Sequence, residues 1–369
     1  MYSQQELDEA VAAGVIDPKA ADALRAHVSS QRSVSIPDEE QFRLITGFND
    51  IFVSIAAAIM MFAMAWIGQV VGKNLGLQIE TDGPTFVAPL LVAATAWGLA
   101  TFFTGKRRMA LPSIILLLAF VGATFATALF AAVGVIGSET FNDGNNNVLG
   151  AVVAAGAAAV AAGAAWIHWR TFRVPITIAA GAGAVAAIIV ALIVAAVGPD
   201  AAGIKTVVLG GTLVLGVAMF LFAMWWDGSD RERVTRRSDV AFWLHLLAAP
   251  MIVHPVFTLL GLNDGNASVA EALIVIGLYI AMGVTALAID RRALLVSALA
   301  YVLWAMSDLF KRFGAVELNV ALTALIIGSA LLLLSAFWHQ ARAAVVRPLP
   351  DGLKGRLPVL DRPAIAMAA

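Results

Sequence analysis

The sequence predicts an all-α integral membrane protein of about ten transmembrane helices. Three observations carry the prediction. Apolar residues make up 60% of the 369-residue chain and charged residues only 13%, with mean hydropathy +0.86, whereas soluble chains hold roughly half and a quarter. Apolar stretches recur at the ~20 residues that a bilayer core of about 30 Å demands. The connections between them alternate between basic and neutral or acidic.

The spans are placed near 49–71, 85–104, 110–136, 147–168, 175–197, 205–226, 239–261, 269–289, 293–311 and 318–339. Alternate connections hold Lys106, Arg107 and Arg108; Arg170 and Arg173; Arg231, Arg233, Arg236 and Arg237; and Arg291 and Arg292, eleven basic residues in all. The other set holds only Lys73, Lys205, Lys311 and Arg312. Short basic loops stay on the cytoplasmic side, so both termini are expected inside. The chain opens on polar Met1–Glu6, and its first apolar run starts near Phe48; this reads as a chain without a cleavable signal peptide.

The last four spans look like a copy of the first four. Asn147-Val148, Gly156, Trp166 and Arg170 match Asn319-Val320, Gly328, Trp338 and Arg342 at a constant offset, without a gap. Arg107, Arg108, Leu111 and Ser113 match Arg291, Arg292, Leu295 and Ser297 at a second offset, which Thr101 and Thr285 extend backwards. A four-span unit begins and ends on one side, so the copies are expected to be parallel repeats. The predicted organisation is a cytoplasmic helical hairpin plus interfacial helix at 1–47, repeat 1 at 48–171, a linking hairpin at 172–228, repeat 2 at 229–343 and a disordered cytoplasmic tail at 344–369.

In the first segment, Ser3 and Glu6 have capping-box spacing, Leu7, Ala10 and Val11 form an apolar stripe, and Gly14 stops the helix. Asp17-Pro18 starts a second helix as N-cap and first helical residue. A hairpin this short cannot hold a core of its own. It is expected to dock on the membrane body or to engage a protein partner or a second copy through residues 1–30. Phe42, Ile45 and Phe48 continue into an interfacial helix.

Candidate chemistry is sparse. The chain has no cysteine, which removes disulfides and thiolate chemistry. No His-Glu-x-x-His, Gly-x-Ser-x-Gly or P-loop pattern occurs. The net charge of −1 argues against nucleic acid. No enzyme activity, cofactor or metal is expected, and the bilayer is the only certain partner. Span seven stands out, because Pro250 and Pro255 each remove a helix hydrogen bond and free the carbonyls of Leu246 and Met251. Lipid cannot satisfy those groups, so a broken span seven should face protein or water. His245 and His254 on this span lie nine residues apart, half a turn round the helix. Asp308 in span nine shares the depth of His254, roughly 22 Å from the inner face at 1.5 Å per residue. A His254–Asp308 pair, joined by Glu271 near the outer start of span eight, is the candidate intramembrane polar site and a possible proton relay. The competing reading pairs Asp308 with Arg312 one turn on. Trp166, His168, Trp169, Trp225, Trp226, Trp338 and His339 read as an interfacial belt. The glycines of spans four and five read as close-packing positions.

The pattern Leu7-x3-Val11-x2-Gly14-x-Ile16-x4-Ala21-x2-Leu24, followed by Ala-rich spans, resembles a family of uncharacterised bacterial membrane proteins that begin with a short cytoplasmic hairpin. The resemblance implies an inner-membrane location and assigns no site residue. Two functions are therefore expected: small-solute or proton-coupled transport, or a non-transporting scaffold or sensor that works through the hairpin.

Overall fold

The computed structural model describes residues 11–23, 48–80, 82–142, 147–231, 233, 235–261, 269–292, 294–295, 299 and 319–360. The chain divides into a small unit, Met1–Phe42 with Arg362–Ala369, and a large one, Arg43–Asp361. In the small unit a helix ends at Gly14, whose φ of +70° suits the residue without a Cβ. Asp17 Oδ1 then accepts from the Lys19 N–H at 2.8 Å and caps the next helix.

The large unit is helical. Its principal helices are α1 (Phe48–Asn74), α2 (Val87–Ala100, running on as a π-helical turn Thr101–Lys106), α3 (Ala110–Ile136), α4 (Asn147–Phe172), α5 (Ile176–Val197), α6 (Ile204–Gly228), α7 (Arg236–Leu259), α8 (Val269–Ile289), α9 (Asn319–Ala336) and α10 (Trp338–Val346). Among the described residues, seven helices are long and apolar enough to cross a membrane, and α9 with α10 forms an eighth candidate bent by 75°. The chain is thus an all-α, multi-pass membrane protein. Most of the predicted span nine, including Asp308, lies outside the described residues. Span ten departs from the expected straight helix: it breaks at Phe337, where φ is −110° and ψ 23°.

Consecutive helices from α1 to α7 pack side by side. The turns after α2, α4 and α6 carry the basic residues at one end of the bundle. The core is a series of patches rather than a single centre. Ala57, Ala96 and Leu116 join α1, α2 and α3; Leu117, Ala161 and Ile176 join α3, α4 and α5; Met219, Leu244 and Ala248 join α6 and α7. In α4 the buried apolar positions are Ala155, Ala157, Ala158, Ala161, Ala164 and Ala165, while Cβ atoms built on Gly156 and Gly163 would meet nothing within 4 Å. The close α4–α5 packing is therefore an alanine interface, and those two glycines are not what permits it. Glycine is required elsewhere. A Cβ on Gly68 would sit 2.6 Å from the Ala88 backbone, and one on Gly216 would sit 2.8 Å from the Met251 carbonyl oxygen.

That second contact accounts for span seven. α7 runs unbroken through Pro250 and Pro255, so the expected break is absent. One of the two freed carbonyls, Met251, is turned onto the backbone of α6 at Gly216. α7 faces protein, and half of its apolar stretch is buried, the largest share among the seven described spanning helices.

Candidate functional site

The charged centre of the molecule lies where α6 ends, α7 begins and α8 ends. Asp227 sits one residue from the end of α6, where the helix dipole disfavours a carboxylate. It is 1% exposed, so it needs positive or donating partners. Arg291, just past α8, supplies them: its Nη2 donates to Asp227 Oδ1 at 2.5 Å and its Nε donates to Oδ2 at 3.2 Å, a bidentate fork. Nη2 also donates to Ser238 O and Oγ at 3.0 and 3.1 Å, which ties in the first turn of α7. His245, two turns further along α7 and wholly buried, places Nε2 3.0 Å from Asp227 Oδ2. An ionised carboxylate can only accept, so Nε2 carries the proton. The opposite nitrogen, Nδ1, is buried without a hydrogen-bond partner. Phe220 closes one side, its ring 5.2 Å from the imidazole in an edge-on arrangement.

A second acid–base group adjoins the first. Asp290 holds φ +57° at the end of α8. Its Oδ2 accepts from Arg233 Nη1 at 2.9 Å and its Oδ1 accepts from Trp338 Nε1 at 2.7 Å. Arg342 Nε lies 3.7 Å from Oδ1. Burial alone would raise the Asp290 carboxyl, but Arg233, Arg342 and the indole N–H together hold it below the usual aspartate range. Arg342 also donates to Pro358 O and Val359 O, and Arg231 donates to Leu357 O and Lys354 O. The segment after Arg347, expected to be disordered, is therefore fastened to the helix ends as far as residue 360. Four backbone carbonyls there accept from two arginines, and Leu357 is buried.

The residues singled out in the sequence divide in this light. His245 belongs to the buried centre. His254, two and a half helical turns further along α7 and so on its opposite side, is exposed, so the two histidines point apart as their spacing requires. Glu271 lies in the first turn of α8, and Asp308 falls outside the described residues. Pro250 and Pro255 lie inside an intact helix. Two members of the expected interfacial belt are buried instead. His168 is 0% exposed, with Nδ1 3.2 Å from Thr177 Oγ1 and the rings of Trp97, Phe120 and Phe172 around it. Trp338 is 2% exposed. Trp166 and Trp225 do face outward.

The sequence reading missed Asp227, and it counted Arg291 only as one positive charge in a basic loop. The available signal was an acid directly after an aromatic pair, Trp225-Trp226, on the side where loops are basic. Among the described residues no three His, Asp or Glu side chains converge as metal ligands. What the centre can do chemically is hold a proton at His245 beside an Asp–Arg pair that stays ionised. Comparison with protein-family models, curated proteins and solved structures finds no match to this chain.

Proposed function

We propose that this is a proton-coupled small-solute transporter of a bacterial inner membrane, with Asp227, Arg291 and His245 as its coupling centre. The observation that supports it is a fully buried ionisable triad at the junction of three apolar helices, one of them carrying two prolines. Ionisable groups at such positions are costly and mark ion or proton pathways. The bare Nδ1 of His245 is the proton acceptor in this reading, and Arg291 keeps Asp227 ionised throughout the cycle. The sequence match between the two sets of four spans supports parallel repeats. The turns at Arg107 and Arg291 add to it, since each N–H bonds to the carbonyl five residues back, Phe102 and Ala286, at 2.9 Å. Both termini on the inside, the basic-loop face as cytoplasmic, and membership of the uncharacterised hairpin-bearing family complete the proposal.

The scaffold or sensor reading is favoured by a different observation, the fastening of residues 354–359 to Arg231 and Arg342, which suits a rigid bundle. The two separate on water access. The chain has no cysteine, so Ala241→Cys and Ala248→Cys, each about one helical turn from His245 on its buried side, report on the centre alone. A membrane-impermeant thiol reagent is applied from each side, with Arg170→Cys and Lys205→Cys as exposed controls. A transporter must open the centre to water in part of its cycle, so labelling of either cysteine from at least one side is expected. Labelling of both controls and neither test cysteine, at pH 5 and at pH 8, would replace the transporter by the scaffold. Deletion of residues 1–30 would then be the next variant.

A further inference from the structure

The ionised centre lies close to the basic-loop end of the bundle. Asp227 is one residue from the end of α6, and Arg231 follows it by four residues. At that end the segment 351–360 crosses from the α6–α7 connection to α10, beyond the 75° elbow. Arg231 donates from Nη2 to Lys354 O at 3.1 Å and from Nε to Leu357 O at 2.9 Å. Arg342 donates from Nη2 to Pro358 O at 2.8 Å and from Nη1 to Val359 O at 3.2 Å. Between the two grips Leu357 turns inward, into one buried cluster with Ala249, Leu287 and Trp338. Phe220, whose ring stands against His245, packs on the same cluster. Apolar packing therefore continues from this segment to the wall of the centre.

We propose that residues 351–360 are a strap that gates the coupling centre. Latched on Arg231 and Arg342, the strap seals the centre from the basic-loop side; released, it admits water and solute. The inference rests on the transporter reading, since a rigid bundle would need the strap only as a permanent clasp. Two features suit a gate. The first is a light attachment. The single helical turn Asp351–Lys354 buries none of its residues, and the grips take backbone carbonyls, which water serves as well. Segments with few buried apolar groups and solvent-exposed hydrogen bonds open locally at low free energy. The second is a covalent tie to the centre. Arg342 Nε lies 3.7 Å from Asp290 Oδ1, and one peptide bond joins Asp290 to Arg291, whose fork holds Asp227. A shift of Arg291 therefore carries with it the acid beside Arg342.

The test uses the full-length chain carrying Ala249→Cys, a thiol in the cluster that Leu357 enters and one helical turn from His245. A membrane-impermeant thiol reagent is applied from each face in turn. In this background Arg231→Gln removes both of that arginine's bonds to the strap, and Leu357→Ala withdraws the buried anchor. Each is expected to raise the labelling rate from the basic-loop face about tenfold, the factor that one lost charged hydrogen bond gives a local opening. The rate from the opposite face should not change. Ala96→Cys, buried where α1, α2 and α3 meet, should stay unlabelled in both variants. An unchanged rate in either folded variant, an equal rise from both faces, or labelling of Ala96→Cys would overturn the gate, with gel filtration checking the fold. If Arg231→Gln misfolds, Leu357→Ala decides alone. Ala248→Cys separates this failure from that of the transporter. Its labelling in the parent chain, with no gain on strap release, removes the gate and leaves the transporter; a centre unlabelled in parent and variants alike removes both.

Discussion

Two stretches of this chain share a residue pattern and treat it in opposite ways. In the first, Arg107 lies exposed over the ring of Phe102, 5.5 Å from its centre, and Arg170 covers the outward-facing Trp166 at 4.9 Å. In the second, the matching Arg291, Arg342 and Trp338 are 2%, 3% and 2% exposed. The difference lies in which acids are at hand. Position 290, where an aspartate receives Trp338 and Arg233, corresponds to Lys106 at the offset that matches Arg107 with Arg291. Arg291 turns inward onto Asp227, which the neighbouring α6 supplies. An arginine at a helix end stays in the interfacial layer unless a carboxylate compensates its desolvation. Here the two aspartates draw in the same side chains that elsewhere face out. The chain bends at Phe337 to bring Trp338 and Arg342 to Asp290, whereas α4 runs straight past Trp166.

The sharpest way to break this comparison is to remove the matched arginines one at a time. Arg291→Ala leaves the buried Asp227 carboxylate without its counter-charge, with the His245 N–H alone donating to it, and should cost about 3–5 kcal/mol, whereas Arg107→Ala should stay within about 0.5 kcal/mol. Denaturant titration in detergent micelles measures both, and equal losses would refute the account. Giving the second stretch the first one's residue comes next. Asp290→Lys should cost about 2 kcal/mol, less than a fully buried pair because the aspartate side chain is 23% exposed. It should also release the segment after Arg347, so that trypsin cuts at Lys354 and Arg356 under conditions in which the parent chain is protected.

Acid supplies a gentler version of the same change. The folded Asp290 carboxyl is held below its unfolded value, so its contribution is present above the ordinary aspartate pKa of about 4 and fades as pH falls through the lowered folded value. Protease protection of residues 348–360 should therefore persist from neutral pH to about 5 and decline below about 4, where aspartates take up protons. Protection that survives unchanged to pH 2 would remove Asp290 from the fastening. The smallest expected effect tests whether an acid alone is sufficient. Lys106→Asp should change stability by less than about 0.5 kcal/mol, as exposed substitutions do. It should leave Trp166 open to a lipid-borne fluorescence quencher, because α4 is committed to its alanine face and has no elbow. A Trp166 that withdrew from quencher would mean that the acid by itself bends the helix.

Several of these features can be read in residue order. The apolar windows place α3 and α8 at their observed ends and α1, α2, α5 and α6 within a few residues, because the bilayer imposes a length that local composition reveals. Gly14, Asp17 and Pro18 announce the turn of the N-terminal segment for equally local reasons. The nine-residue spacing of His245 and His254 implied that they point apart, and they do. The candidate site was legible only in His245.

What the sequence by itself determined is therefore the membrane class, the run of apolar helices and the residues to be buried or exposed by helical period, since each depends on neighbours within a few turns. Tertiary structure decided which charges enter the interior. Asp227, Ser238 and Arg291 are brought together across up to 64 positions of chain, and the residues beside Arg291, Asp290 in place of Lys106 among them, do not name Asp227 as its partner. It decided as well that Trp338 and His168 leave the expected belt, that the prolines of α7 leave an intact helix packed on Gly216, and that residues 354–359 are held. The physical reason is the same each time: the cost of burying a polar group is settled by a partner, and the partner lies on another helix.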